Sequence, residues 1–136
     1  MSEENVQSIY RAMEALSRWD IDGALAEADP EIEWIPNKDF PIGPGEIYRG
    51  HDELRRWYQE WFIEAWEESS VEAEDVVAAG DNCCVYTAHI QGRGKASGIE
   101  IDMRVHDVVL FRDGKWLKRT SYMDRSEALK AAGLSE

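Results

Sequence analysis

IEIDMRVHDVVLFRDGKWLKRTSYM, residues Ile99 to Met123, is the stretch that decides the fold. Two apolar-rich runs flank Arg112-Asp113-Gly114-Lys115. An Asp-Gly pair between such runs marks a two-residue β-hairpin turn, because both turn residues need a positive φ. Antiparallel strands are therefore expected over Ile99 to Arg112 and Lys115 to Met123. Alternation along the first puts Ile99, Ile101, Met103, Val105, Asp107, Val109 and Phe111 on one face. One carboxylate interrupts that apolar face. An unpaired charge is costly to bury, so Asp107 must be solvated, paired, or protonated with a raised pKa, and the last two are how catalytic acids are made. Counting outward from Asp113-Gly114 sets Arg119 almost opposite Asp107. A structural cross-strand ion pair therefore stands beside the catalytic or ligand-contacting reading.

Working upstream, Ser70 to Ala79 and Asn82 to Gln91 read as two more strands, and the short connections require antiparallel pairing. His51 to Trp66 carries Leu54, Trp57, Tyr58, Trp61, Phe62, Ala65 and Trp66 at helical spacing, an aromatic third helix. Pro36 to Gly50 holds three prolines and three glycines and reads as an irregular loop. Before it, Glu31 to Ile35 alternates as a strand, and Asp20 caps a short second helix ending before Pro30. Glu3 to Trp19 places Val6, Ile9, Tyr10, Met13, Leu16 and Trp19 on one stripe, an amphipathic first helix. At the other end Asp124-Arg125-Ser126-Glu127 is a capping box that opens a last helix closed by Gly133.

At 136 residues the chain has the commonest domain size, so one domain over residues 1–136 is expected. With 43% hydrophobic and 32% charged residues it can bury a core beneath a soluble surface. A net charge of −13 repels the phosphate backbone that dominates nucleic-acid affinity, which argues against a nucleic-acid partner. The longest apolar runs, such as Val105 to Phe111, fall far short of the roughly 20 residues of a membrane span, so no membrane partner is expected. The start, Met1-Ser2-Glu3-Glu4-Asn5, lacks the basic and apolar pattern of a secretory signal, and a cytoplasmic location follows by default. Adjacent Cys83 and Cys84 read as two small buried apolar residues.

The order helix, helix, strand, helix and four-stranded meander resembles the cone fold of ketosteroid isomerases, SnoaL-like polyketide cyclases and nuclear transport factor 2. Tyr48-Arg49-Gly50-His51-Asp52-Glu53-Leu54 is similar to the family's loop into its third helix. Arg93 to Gly98, Phe111 to Lys115 and Tyr122 to Leu129 are similar to the turns that follow. The resemblance implies an α+β fold, a cone-shaped, curved antiparallel or mixed β-sheet wrapped around N-terminal helices. Such a scaffold hosts isomerases, cyclases, dehydratases, epoxide hydrolases and non-catalytic binders, so function must come from the site.

In the isomerases an aspartic acid at the position of Asp107 serves the oxyanion hole, as a carboxyl kept neutral so that it can donate. The resemblance also places Tyr58 at a pocket tyrosine, although a tyrosine on a helical stripe equally serves the core. The isomerase base falls on Ile35 and its oxyanion-hole tyrosine near Ala12, so neither group is present. The epoxide-hydrolase Arg-x-Asp pair is reversed here as Asp102-Met103-Arg104. Of the three histidines, His89 is the one expected to reach the pocket mouth, sharing the odd face of its strand with Val85 and Thr87.

The expected pocket is lined by Trp34, Tyr58, Thr87, His89, Met103, Val105, Asp107, Val109, Arg119, Ser121 and Met123. It is expected to hold a small apolar or aromatic molecule. Its catalytic candidates are Asp107, His89 and Tyr58, which would move a proton next to a carbonyl if the chain is an enzyme. No metal site and no cofactor are implied, because the histidines and cysteines lack ligand spacing. The even faces, with Cys84, Tyr86, Ala88 and Ile90, then Val108 and Leu110, then Trp116 and Tyr122, read as an apolar outer surface that a homodimer would cover.

Overall fold

A computed structural model describes residues 2–40 and 45–134 of the chain. Its elements run α1 (Ser2–Ser17), α2 (Ile21–Leu25), β1 (Ala28–Ile35), β2 (Tyr48–Arg49) and α3 (Gly50–Trp57). A π-helical segment (Tyr58–Ile63) follows, then β3 (Trp66–Ala78), β4 (Cys83–Gly94), β5 (Glu100–Arg112), β6 (Lys115–Tyr122) and α4 (Arg125–Ala131). The strands form one sheet in the order β2-β1-β6-β5-β4-β3. All neighbours are antiparallel except β1 and β6, which pair in parallel, so the sheet is mixed.

The expected turn chemistry is realised. Asp113 and Gly114 have φ of 52° and 77°, the mirror-image turn that matches strand twist, and Arg112 pairs with Lys115 across it. Asp20 accepts from the Gly23 amide and Asp124 from the Ser126 amide, so both predicted caps satisfy helix N-termini. Of the loop expected over 36–50, residues 41–44 lie outside the described residues, and Tyr48–Arg49 forms a short strand on β1. The third helix differs from expectation. It is α-helical only to Trp57, widens into the π-helical segment, and Trp66 already belongs to β3.

The two faces of the sheet differ. One carries the main core, with Ile9, Trp34, Tyr86, Val109 and Trp116 among its buried residues, beneath α1, α2 and α3. On the other, α4 supplies Ala128 and Leu129 to a smaller cluster with Cys83, Val85 and Val108. Both cysteines are buried and unbridged, and burial pushes the Cys84 thiol up to about 11.

Two irregularities decide which residues face inward. In the β5/β6 hairpin Phe111 pairs with Trp116 but Leu110 pairs with Lys118, so Leu117 is an extra, bulged residue. Parity along β6 therefore switches: Trp116 faces the core before the bulge, and Arg119 and Ser121 face it after. Between β4 and β5 the register sets Tyr86 opposite Asp107, Ala88 opposite Val105 and Ile90 opposite Met103. Opposed residues share a face, so the even residues of β4 point inward and the odd ones outward.

This corrects the expected outer face. Cys84, Tyr86, Ala88 and Trp116 are core residues, and Ile90 packs against that core. The homodimer expectation therefore loses Tyr86, Ile90 and Trp116 from its proposed interface. Val108 is covered from within by α4, and Leu110 remains exposed.

Candidate functional site

The site follows from register. Asp107 on β5 sits between its two cross-strand neighbours, Tyr86 on β4 and Ser121 on β6. Both donate to it: Tyr86 Oη to Oδ2 at 2.8 Å and Ser121 Oγ to Oδ1 at 2.6 Å. Trp34 Nε1, a donor only, gives its hydrogen to Ser121 Oγ at 3.0 Å, which directs the serine proton toward the carboxylate. Both oxygens of Asp107 are thus engaged by hydroxyls of the two flanking strands. Burial and the adjoining Asp107 charge hold the Tyr86 phenol well above its ordinary range, so it stays a donor.

Arg119 lies one inward position along β6 from Ser121, beside Trp34 on the parallel strand β1. Its guanidinium stands 4.1 Å from the Trp34 ring centroid, a cation–π contact. Nη1 donates to Tyr58 Oη at 2.9 Å, and Nε is 4.0 Å from Asp107 Oδ2. Asp107 is 4% exposed and Arg119 9%, so this is a buried charge pair at the outer limit of ion-pair distance. Among the described residues, Arg119 Nε has no hydrogen-bond partner.

Aromatic rings wall the polar cluster. Trp34 meets Trp57 edge-on at 4.6 Å, stacks on Tyr48 at 5.6 Å and touches Phe40 at 6.0 Å. Tyr58 bridges Trp57 and Phe62. The π-helical segment begins at Tyr58, and π-helical turns recur at functional positions.

Two cavities flank the cluster. One, of about 50 Å³, is bounded by residues including Phe40, Phe62, Tyr86, Val105 and Asp107. The other, of about 30 Å³, lies under Ala12, Ile32, Leu54 and Trp116. Leu16, Trp34, Tyr58 and Arg119 line both and stand between them. Each has room for a few waters; a larger guest requires these separating side chains to part.

Of the expected lining, Trp34, Tyr58, Val105, Asp107, Arg119 and Ser121 come together here. Val109 is fully buried in the adjoining core, and Met103 and Met123 are half-buried against it. Thr87 and His89 are not in this group. The β4 register turns them to the opposite face, where Thr87 Oγ1 bonds His106 Nδ1 at 2.8 Å. His89 sits between Asp102, at 2.6 Å from Nε2, and Glu74, at 3.6 Å from Nδ1. The expected pocket-lining placement of Thr87 and the pocket-mouth placement of His89 are therefore corrected. Ile35 follows the inward Trp34 and points away from the cavity.

Tyr86, Ala88, Ile90 and Trp116 also line these cavities, together with Phe40 from the irregular loop. The aromatic stripe of the third helix was a usable signal for Trp57 and Phe62. Among the described residues, no group of three or more His, Cys, Asp or Glu is arranged to hold a metal ion. No helix among them is long and apolar enough to cross a membrane.

A curved mixed sheet closing over N-terminal helices, with cavities between, defines an α+β protein of the nuclear transport factor 2-like, cone-shaped class. The chain belongs to the SnoaL-like domain family, whose model matches residues 9–119. Among solved structures it is similar to an NTF2-like protein from Burkholderia xenovorans LB400, at 26% identity and TM-score 0.75, covering 97% of this chain and 98% of that one. It is also similar to TerC co-crystallised with polyporic acid, at 16% identity and TM-score 0.76, with 96% and 98% coverage. A third similar structure is a protein of ketosteroid isomerase-like fold from Catenulispora acidiphila DSM 44928 in complex with trimethylamine, at 13% identity, TM-score 0.73, and 93% and 92% coverage. No curated protein matches the chain.

Proposed function

We propose that the chain binds a small, mainly apolar or aromatic molecule between its helices and the inner sheet face, and that it does so without catalysing a reaction. The observation that carries the reading is the aromatic wall of Trp34, Phe40, Trp57, Tyr58 and Phe62 around a single buried polar cluster. Apolar walls with a few convergent polar groups are the usual make-up of a small-molecule site. Two proteins of similar fold were crystallised with polyporic acid and with trimethylamine, which supports small-molecule binding as a use of this scaffold.

The non-catalytic half rests on proton bookkeeping. Proton transfer next to a carbonyl needs a base within hydrogen-bond reach of the substrate. Both Asp107 oxygens already accept from Tyr86 and Ser121, and His89 lies on the other face. That leaves Tyr58, a phenol tied to Arg119, as the one catalytic candidate with a free proton.

Native mass spectrometry of the purified protein tests the reading. The expected result is a bound small molecule that raises the melting temperature when added back. Ala88→Phe places a ring inside the larger cavity and should abolish that binding while leaving the far-ultraviolet circular dichroism unchanged. Undiminished binding by a folded Ala88→Phe protein would relocate the site.

A further inference from the structure

An apolar cavity that takes up a benzene ring measures about 150 Å³. The two cavities here, of about 50 and 30 Å³, are each too small for a ring, yet they share a wall of four side chains, Leu16, Trp34, Tyr58 and Arg119. Which of the four gives way decides how a ligand is admitted.

Two of them are held from several sides. Trp34 stacks on Tyr48, meets Trp57 and Phe40 edge-on and donates to Ser121. Arg119 stands 4.1 Å from that indole and 4.0 Å from Asp107, and moving it would leave buried charges uncompensated. Leu16 is short, so a change of its rotamer clears little of the wall.

Tyr58 is held least. Among the described residues its ring pairs only with Trp57 and Phe62, neighbours along its own helix. Its one side-chain tie to the sheet is the 2.9 Å hydrogen bond from Arg119 Nη1. With a cavity on either side, the ring also lacks the close packing that fixes a core side chain. The backbone leaves α geometry at the same residue, and the Glu64 amide reaches back five residues to the Gln59 carbonyl. Beyond the segment, the β3/β4 register shifts between Glu67 and Ser70, so the chain there already accommodates an extra residue.

Resting on the binding reading above, we propose that Tyr58 is a movable partition: a ligand breaks its bond to Arg119 and displaces its ring, which joins the two cavities into one chamber beside Trp34. Admission is then selective by size. A single apolar atom leaves the partition in place, whereas a ring must displace it.

Xenon and naphthalene, titrated into the full chain and followed by NMR, separate these cases. Naphthalene is expected to bind Tyr58→Phe about tenfold more tightly than the parent, because a hydrogen bond from a charged donor no longer has to be broken. Tyr58→Ala, which removes the ring itself, should bind it more tightly still. Xenon should bind the parent and Tyr58→Phe alike. A crystal structure of the unaltered protein with naphthalene should show the Tyr58 ring displaced, with Trp34 and Arg119 in place. Naphthalene affinity unchanged in Tyr58→Phe, or a complex in which the Tyr58–Arg119 bond survives, overturns the partition and leaves the binding reading intact. Xenon affinity that rises in step with that of naphthalene also overturns it, since the substitution would then have loosened the core as a whole. Failure of naphthalene to bind even Tyr58→Ala, with no copurifying molecule, removes the binding reading as well.

Discussion

Replacing Arg119 by methionine tests the buried pair on which the site is built. Both partners are nearly inaccessible and their nearest charged atoms are 4.0 Å apart. At an effective dielectric constant of about 20, that separation corresponds to an attraction of about 4 kcal/mol before desolvation is subtracted. Removing one member of a buried pair typically costs about 3–5 kcal/mol, because the remaining charge is left uncompensated. Asp107 keeps its bonds from Tyr86 and Ser121, at 2.8 and 2.6 Å, which moves the expected loss to the lower end, about 3 kcal/mol. For a domain of this size such a loss lowers the melting temperature by about 10 °C.

Urea unfolding followed by tryptophan fluorescence would measure the loss, and a double-mutant cycle would assign it. Asp107→Asn alone strands the arginine, so it too should destabilise. Asp107→Asn combined with Arg119→Met removes both charges and should lose less than the sum of the single losses, by at least about 1 kcal/mol. If the single losses add to within about 0.5 kcal/mol, the two side chains are not coupled and the site is not built on their pairing. An Arg119→Met protein as stable as the parent would refute the pairing equally.

Three further outcomes are expected. Burial holds the His106 imidazole below its ordinary 6.5, so the unfolded chain takes up the proton first; stability should be full above that value and fall as pH drops through it, and subtracting the profile of His106→Gln should isolate this fall. A profile unchanged by the substitution would show that His106 titrates alike in both states. Gly114→Val forces a β-branched residue to a φ of 77° and should cost about 1–2 kcal/mol in chemical denaturation, whereas a neutral result would mean another turn geometry. Finally, a β,γ-unsaturated ketosteroid should not be turned over, because Ile35 points away from the cavity and Ala12 lines it where the isomerases would need a base and a tyrosine; absorbance of the conjugated product would refute this.

The sequence made some parts of this molecule legible because they are local. The turn at Asp113-Gly114, the caps at Asp20 and Asp124, and the inward parity of Met103, Val105, Asp107 and Val109 each depend on a few neighbouring residues. What stayed hidden was registry between strands. The inward face of β4 depends on how many residues the connection from Gly94 to Glu100 consumes, and one residue more or less exchanges Tyr86 for Thr87 and Ala88 for His89. Nothing in Lys95-Ala96-Ser97-Gly98-Ile99 fixes that count as firmly as an Asp-Gly pair does. The bulge at Leu117 was hidden for the same reason. Simple counting from the turn opposes Asp107 to Thr120; with Leu117 extruded, Asp107 opposes Ser121, and Trp116 and Arg119 share a face despite opposite parity. These two shifts also build the site. Without the first, no tyrosine would donate to Asp107, and without the second, Ser121 would turn outward and leave the Trp34 indole without its acceptor. The carboxylate could be found from the pattern of its own strand, but its pairing with the Tyr86 and Ser121 hydroxyls is a property of three strands in register.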